Sequence, residues 1–308
     1  MTANRKALDP KLDIVFWLLF AGERNRALLL SLLNAVLRPA VPIEVITLLH
    51  AEPEKLTADD KGIALDVRVK LASGEQVDIE MQSQRRPALL ERVLYYWARL
   101  YAGQLTRGAD YPALRRCAVI LFADFNLLQG PRFHSIFRAL EVHSAQPLTD
   151  HLELHVVELT KLASSVDRND EPNLALWAKF LTAATDEELQ ELAMQHPVLK
   201  EAKEALDELS ADPDARLRAE QREMALLSYQ LDLGKMWHDG IAEGEAKGEA
   251  KGEARGRASA LIAVLEARNL HPTAEQRERL EGCRDYALLE RWLLRAVKAN
   301  SASEVFDG

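Results

Sequence analysis

The sequence predicts an α+β protein in which a mixed β-sheet core, flanked by helices, is followed by a helical C-terminal region. Residues 63–71 and 76–82 alternate between apolar and polar side chains on either side of a short turn, which is typical of a β-hairpin. Residues 117–123 form a continuous apolar run, which is typical of a strand buried on both faces. Only helical patterns follow from residue 172 onward, and this order of elements favours the α+β class.

The other elements of the N-terminal half follow from the spacing of apolar residues. Residues 10–37 have helical spacing, interrupted by the charged segment 22–25, which predicts two short helices. Residues 43–49 form either a strand or a short apolar connection. After the hairpin, residues 87–106 have a helical pattern rich in Leu, Tyr and Trp, and residues 152–159 alternate as a further strand.

The C-terminal half is helical, with one unusual segment. Helices are predicted over residues 172–235, with interruptions near Pro197 and Pro213. Glycine then recurs at every fourth position from 240 to 256, among Ala, Glu, Lys and Arg. Each glycine costs a helix about 1 kcal/mol, but the resulting stripe would let two helices approach closely; a flexible charged linker is the alternative. The predicted domains are a core at 1–165, a helical extension at 166–238, the Gly-repeat helix or linker at 239–257, and a small helical C-terminal module at 258–308.

The amino-acid composition, net charge and cysteine content indicate which broad class of protein this is. The 308 residues are 48% hydrophobic and 28% charged, which is typical of a globular chain. The formal net charge of -9 argues mildly against nucleic-acid binding except through a local basic surface. Cys117 and Cys283 are isolated in the sequence, which indicates reduced thiols rather than a disulfide framework or a cysteine metal site. No signal-peptide pattern or membrane-spanning apolar stretch is evident, so we predict a cytoplasmic protein.

Polar side chains converge on the predicted hairpin. Asp78, Glu80 and Gln82 alternate onto one face of its second strand, and Asp66 and Arg68 share a face of the first. Antiparallel pairing brings Asp66 toward Glu80 and Gln82. Carboxylates from two adjacent strands suit Mg²⁺, which is usually held by one or two carboxylates together with water and substrate phosphate. A single strand carboxylate is more often only solvated, so the residues alone leave both interpretations open.

Several segments together resemble a known family. They read LDPKLDIVFWLLF, LDVRV, SGEQVDIEMQ and RVLYYWARLYAGQLTRGADYPALRRCAVILF. In this combination they resemble the PD-(D/E)xK nuclease-transposase family, also called the Rpn or recombination-promoting nucleases. The resemblance covers roughly residues 8–125, and the Gly-repeat tail with its small helical end is also similar to family members. It implies a restriction-endonuclease-like core and a DNA endonuclease dependent on Mg²⁺ or Mn²⁺, acting in recombination, mobile-element activity or defence.

The resemblance also implies roles for individual residues. Asp66 and Glu80 are the implied metal ligands, Gln82 stands where many PD-(D/E)xK enzymes carry lysine, and Asp13 on the first helix lies beside the metal. The alternative for Asp13 is a helix cap or a salt-bridged surface carboxylate. Trp17 occupies a position where a basic residue is expected, and Gln82 cannot carry the charge of lysine. These departures leave a second hypothesis open, a catalytically weak or inactive nuclease fold that binds DNA or assembles into oligomers.

The implied partners are DNA and further copies of the same chain, without a membrane. The residues predicted to form a local basic surface for DNA are Arg85, Arg86, Arg92 and Arg99, with Arg107 beyond them. Ordinary surface charge is the alternative. Gln104 is expected to reach the site from the helix, because the family pattern is also polar there. The aromatic residues of the same helix, Tyr95, Tyr96, Trp97 and Tyr101, are predicted to belong to the core rather than to stack on bases. An RNA substrate would use the same site, and oligomerisation is expected through the C-terminal region.

Overall fold

The computed structural model describes residues 7–49, 66–105, 108, 110–165 and 168–306. The chain divides into two compact units, Met1–Leu227 and Ser228–Gly308. Six strands form one sheet in the order β1-β2-β3-β4-β6-β5. They are β1 Ile46–Leu48, β2 Val67–Leu71, β3 Gln76–Gln82, β4 Cys117–Ala123, β5 His134–Arg138 and β6 Leu152–Glu158.

The helices surround this sheet in the first unit and continue through the second. Those of the first unit are α1 Asp13–Phe20, α2 Arg26–Leu37, α3 Leu89–Ala102, α4 Pro172–Thr182, α5 Asp186–Gln195 and α6 Pro197–Ala211. Helix α7 runs over Pro213–Ala267 and is followed by α8 Ala274–Gly282, α9 Tyr286–Ala296 and α10 Ala302–Phe306. Within the described residues, no helix is long and apolar enough to cross a membrane.

The sheet is mixed, as predicted. β1, β2 and β3 pair in antiparallel fashion, β3, β4 and β6 are parallel, and β5 returns antiparallel to β6 at the edge. The turn between β2 and β3 is closed by a hydrogen bond from the Leu71 amide to the Glu75 carbonyl, 2.8 Å long. Gly74 in this turn has a φ of 90°, a conformation that a residue without a Cβ adopts at little cost. The turn thereby fixes the register in which Arg68 lies opposite Asp78.

The two faces of the sheet are covered by different helices, because side chains alternate along each strand. On one face, Val119, Leu121 and Val156 pack with Leu89 and Val93 of α3. The residues that point to the other face, including Ile79, Met81, Ile120, Phe122 and Val157, join a larger core with α1, α2 and α4. The continuous apolar run of β4 is therefore buried on both faces, which confirms the predicted reason for its composition.

The second unit has a small core of its own. Its largest buried side chains are Leu261, Leu265, Leu280, Leu289, Trp292 and Phe306. Helix α8 begins with a capping box, in which the Thr273 hydroxyl accepts from the amide of Gln276 and the Gln276 side chain accepts from the amide of Thr273. This unit is therefore held by apolar burial and helix capping.

Several elements differ from the sequence expectations. β5 and α10 were not predicted. The boundary between α5 and α6, by contrast, falls near Pro197, where an interruption of the helical extension was expected. The Gly repeat lies within α7, as a helix rather than a linker. Residues 63–65, predicted to begin the first hairpin strand, lie outside the described residues. The α+β class itself is confirmed.

Candidate active site

The face of β3 that α3 covers carries the predicted polar residues. Asp78, Glu80 and Gln82 lie in register with Val119, Leu121 and Ala123 of the parallel neighbour β4. Because paired residues in a parallel sheet point to the same face, the three polar side chains lie under α3. Asp78 and Glu80 are completely buried and Gln82 is nearly so. The sequence therefore places two carboxylates inside the protein rather than on a solvated strand.

Asp66 approaches these residues from the adjacent strand. Val67 pairs with Ile79, so continuing the antiparallel register by one residue places Asp66 opposite Glu80. Arg68 forms an ion pair with Asp66, and its Nε lies 3.4 Å from Oδ2 of Asp78. The structure thus brings together Asp66 and Glu80, as the sequence predicted, and adds Arg68 and Asp78 to the same cluster.

Crowding and burial change the acidity of this cluster. Burial, with a smaller contribution from the nearby charge of Asp66, raises the pKa of Glu80 from its ordinary value of 4.5 to about 7, although the charges of Arg92 and Arg68 and the hydrogen bond from Gln82 act in the opposite direction. Burial likewise raises the pKa of Asp78 well above its ordinary range. For Arg68, burial disfavours the charged form, but the charges of Asp78 and Asp66 outweigh it and raise the pKa. The site therefore places three carboxyl groups beside two arginines, and burial disfavours the ionised form of two of those carboxyl groups.

The donor set fits a divalent ion held mainly by water. Oε1 of Glu80 is buried without a hydrogen-bond partner, while Oε2 accepts from Nε2 of Gln82 at 3.4 Å. Within the described residues, no three His, Cys, Asp or Glu side chains are arranged to hold a metal ion together. Two carboxylates such as Asp66 and Glu80 are nevertheless the usual protein contribution to a Mg²⁺ site, since Mg²⁺ keeps several waters.

Comparison with known families identifies this architecture. The model of the family described as PD-(D/E)XK nuclease family transposase matches residues 10–233, which include the whole sheet and the site. The chain belongs to this family. The predicted resemblance is thereby confirmed. No match was found among curated proteins, and none among solved structures.

Asp13, which the family resemblance places beside the metal, is buried and tied to another helix. Its carboxylate accepts from Nε of Arg222 on α7, with both oxygens 2.9 Å away, and Nη2 of Arg222 makes a further contact. Oδ1 also accepts from the amide of Ile14 at 2.8 Å. The observed state of Asp13 is therefore a buried ion pair, which is closer to the salt-bridged alternative than to a free ligand.

The arginines predicted to contact DNA are in two different environments. Arg92 acts on Glu80 by its charge, and its guanidinium donates to the Tyr96 hydroxyl at 2.8 and 3.3 Å. Arg99 is exposed and lies over the ring of Tyr95, 5.9 Å from the ring centroid. Arg85 is exposed and Arg86 half-buried after β3, whereas Arg107 lies outside the described residues. Among the predicted DNA-contacting arginines, Arg92 is thus one whose charge acts on a carboxyl group of the site.

The aromatic residues of α3 only partly form core. Trp97 packs against the α3-side core and stacks on Tyr101 at 5.1 Å between ring centroids. Tyr95 is 57% exposed, so its assignment to the core was wrong. It lies one helical turn from Arg99, which makes an exposed ring and an exposed cation neighbours on α3.

Gln104 does not reach the site. Its amide oxygen accepts from the backbone of Arg115, and its nitrogen donates to the Arg115 carbonyl and to Sγ of Cys117. Cys117 pairs with Gln76, four residues before Glu80 and therefore roughly 13 Å away along β3. The prediction that Gln104 reaches the carboxylate site was therefore wrong. Gln104 instead holds the segment at the start of β4.

A second buried polar cluster was missed at the β4, β6 and β5 edge. His134 forms two hydrogen bonds. Its Nδ1 lies 2.6 Å from Oε2 of Glu171, and its Nε2 lies 2.9 Å from Nδ1 of His155. Nε2 of His155 lies 2.8 Å from Oε1 of Glu153. Arg116 and Arg138 also bind Glu153, and Arg38 binds Glu171, so the cluster joins β5 and β6 to residues that border β4, α2 and α4. In the sequence, the polar residues at alternate positions 153 and 155 of a predicted strand were the available signal for this cluster. The contribution of His134 could not be predicted, because β5 was not recognised as a strand.

Proposed function

We propose that the protein is a metal-dependent DNA endonuclease that hydrolyses phosphodiester bonds in recombination, mobile-element activity or defence. The observation that carries the proposal is the opposition of Asp66 and Glu80 on paired strands of a nuclease-family sheet, with Oε1 of Glu80 buried and free of hydrogen bonds. A buried carboxylate oxygen without a donor is costly, and a bound cation removes that cost.

Each residue of the cluster has a defined role in this proposal. Asp66 and Glu80 hold the ion, which is Mg²⁺ or Mn²⁺. When bound, the ion polarises the phosphodiester and lowers the pKa of a bound water. Gln82, whose Nε2 is 3.4 Å from Glu80, orients the attacking water through its amide. It carries no charge, so Arg92 supplies the positive charge that lysine provides in other sites of this kind.

DNA reaches this cluster along α3. Arg92 acts on Glu80 by its charge, and Arg99 with Tyr95 extends an exposed cationic and aromatic surface further along the helix. Arg85 and Arg86, just after β3, complete it. Arginine contacts to phosphate position a duplex without reading its sequence, so we expect binding to be sensitive to salt.

The test is plasmid cleavage by the purified full chain with Mg²⁺, Mn²⁺, Ca²⁺ or EDTA. We expect cleavage with Mg²⁺ or Mn²⁺ and none with EDTA. Asp66→Ala and Glu80→Ala should each lower the rate by about 100-fold or more, because even residues that only support a ligand contribute 10–100-fold. Glu75→Ala, which removes a carboxylate at the opposite end of β3, is the matched control and should cleave at the wild-type rate.

The outcome separates the competing hypotheses. Retained cleavage in both alanine variants would exclude this site as the nuclease. Metal-independent DNA binding with no cleavage under any ion would instead favour a non-catalytic protein of the same fold, which the glutamine at position 82 already permits. Cleavage of RNA but not of DNA, in the same assay with both substrates, would assign the site to RNA.

The second unit supports a proposed homo-oligomer. The side chains of Leu231, Met236 and Trp237 on α7 are each more than 60% exposed, although apolar. A Cβ added at any glycine from 240 to 256 in the repeat would meet nothing within 4 Å, so that face of the helix is open. We expect an oligomer of the full chain and a monomer of a chain ending at residue 238, by sedimentation velocity. If the full chain and the chain ending at residue 238 had the same oligomeric state, residues 239–308 would have no role in oligomerisation.

A further inference from the structure

Arg68 occupies a central position among the carboxylates of the site. Its Nη2 contacts Oδ2 of Asp66, and its Nε lies 3.4 Å from Oδ2 of Asp78, the residue directly opposite on β3. Asp66 is a proposed metal ligand, whereas Asp78 is not. The guanidinium of Arg68 therefore lies between the carboxylate of a proposed metal ligand, Asp66, and the carboxylate of Asp78, which is not a proposed ligand.

The contact with Asp78 is incomplete. Both oxygens of Asp78 and Nε of Arg68 are buried and make no hydrogen bond, so the 3.4 Å approach is an attraction of charges without hydrogen-bond geometry. A buried ion pair is strongly stabilising only when the remaining polar atoms are also satisfied. The unpartnered oxygens of Asp78 therefore offer Arg68 an alternative hydrogen-bonding partner to Asp66.

Arg92 provides a contrast within the same cluster. It also acts on Glu80 by its charge, but its guanidinium donates to the uncharged hydroxyl of Tyr96. A positive charge near a cation site weakens ion binding through space whatever its contacts. Direct occupation of a ligand carboxylate adds a further penalty, and among these two arginines Arg68 is the one paired with Asp66.

We propose that Arg68 is an internal competitor for the metal ion. In the metal-free protein its guanidinium holds Asp66, and a divalent ion binds as this ion pair is exchanged for a closer contact between Arg68 and Asp78. Arg68 thereby sets the ion concentration at which the site fills, and Asp78 retains the displaced cation. This inference rests on the proposed metal site and defines how loading of that site is regulated.

The test is calorimetric titration of Mn²⁺ alone into the full chain, which needs no catalytic readout. Arg68→Gln should bind Mn²⁺ about tenfold more tightly than the wild type, since an ion pair that is partly buried must otherwise be broken. Arg92→Gln is the matched control for charge and should tighten binding by a clearly smaller factor. Arg68→Lys, which keeps the charge but cannot bridge as a planar fork, should fall between the wild type and Arg68→Gln.

The outcomes separate this inference from the proposed function. If the wild type and all variants fail to bind Mn²⁺, both the metal site and the competitor role are overturned. If the wild type binds and Arg68→Gln binds no more tightly than Arg92→Gln, the metal site stands and the competitor role is overturned. Should Arg68→Gln not fold, Arg68→Gln with Asp78→Asn removes both charges together. It should then bind Mn²⁺ more tightly than Asp78→Asn alone, and equal affinities overturn the role.

Discussion

At the scale of single residues, Glu80 is a fully buried carboxyl group whose ionised form opposes folding. Burial raises its pKa to about 7, whereas an unfolded glutamate titrates near 4.5. Below pH 4.5 the carboxyl is protonated in both states, and it contributes no difference. As the pH rises through this interval the unfolded chain loses the proton first, so the folded state is progressively disfavoured until about pH 7.

Glu80→Gln should therefore stabilise the metal-free protein. At pH 8 with EDTA we expect its free energy of unfolding to exceed that of the wild type by about 2 kcal/mol. At pH 4.5 the two proteins should be nearly equal. Urea denaturation at both pH values measures this difference, and a less stable variant at pH 8 would show that the carboxylate is satisfied in the metal-free fold.

The site residues could be predicted from sequence to the extent that local periodicity encodes them. Asp66 and Glu80 were placed together because side chains alternate along strands and the turn with Gly74 fixes the register. The pairing of Asp13 with Arg222 could not be predicted, because the two residues are 209 positions apart and no local pattern relates them. Asp78 was placed on the correct face, but nothing in its spacing distinguishes a buried carboxylate from a solvated one.

At the scale of elements, the same reasoning explains which strands were predicted. β3 and β4 have the predicted bounds, since one alternates clearly and the other is apolar throughout. β5 is an edge strand with mostly exposed side chains, so its HSIFR segment lacks both the alternation and the apolar run that indicate a strand. Its partner β6 is buried and was predicted. Burial against neighbours, rather than strand propensity, is what a sequence pattern records.

Glu153 connects β6 to both of its neighbouring strands at this edge of the sheet. It accepts from Arg116, the residue directly before β4, from Arg138 of β5 and from His155 of its own strand. Burial opposes ionisation, but the hydrogen bonds from His155 and Arg138 and the charge of Arg116 lower the pKa of Glu153 to about 2. The resulting stabilisation is present above about pH 4.5 and is lost as the pH falls toward 2.

Glu153→Gln should accordingly destabilise the protein in a pH-dependent way. We expect a loss of about 2 kcal/mol at pH 7, which allows for solvent screening because the side chain of Arg138 is 53% exposed. The loss should shrink at pH 3. Urea denaturation of wild type and variant at the two pH values provides the comparison, and a loss that does not depend on pH would show that packing rather than charge is responsible.

At the scale of the whole first unit, the ion pair between Asp13 and Arg222 joins the first helix of the chain to the start of α7. Both side chains are buried, so removal of one partner leaves an unpaired charge in the interior. The match to the family model ends at residue 233, so this part of α7 lies within the matched region.

Arg222→Met should lower the free energy of unfolding by about 3 kcal/mol or more, because the carboxylate of Asp13 is left buried and unpaired. The variant that combines Asp13→Asn with Arg222→Met should recover part of this loss. A double-mutant cycle with all four proteins, measured by urea denaturation, gives the coupling. Additive losses in the double variant would mean that the two residues stabilise the fold independently.

The chain of side chains from Glu171 through His134 and His155 to Glu153 also links segments of the first unit that are far apart in sequence. Three hydrogen bonds join the four side chains in series, and Arg38 extends the series beyond Glu171. Because the links form a single path, the loss of either imidazole would separate the two carboxyl groups. The contribution of each of these side chains to stability therefore depends on the presence of the other three.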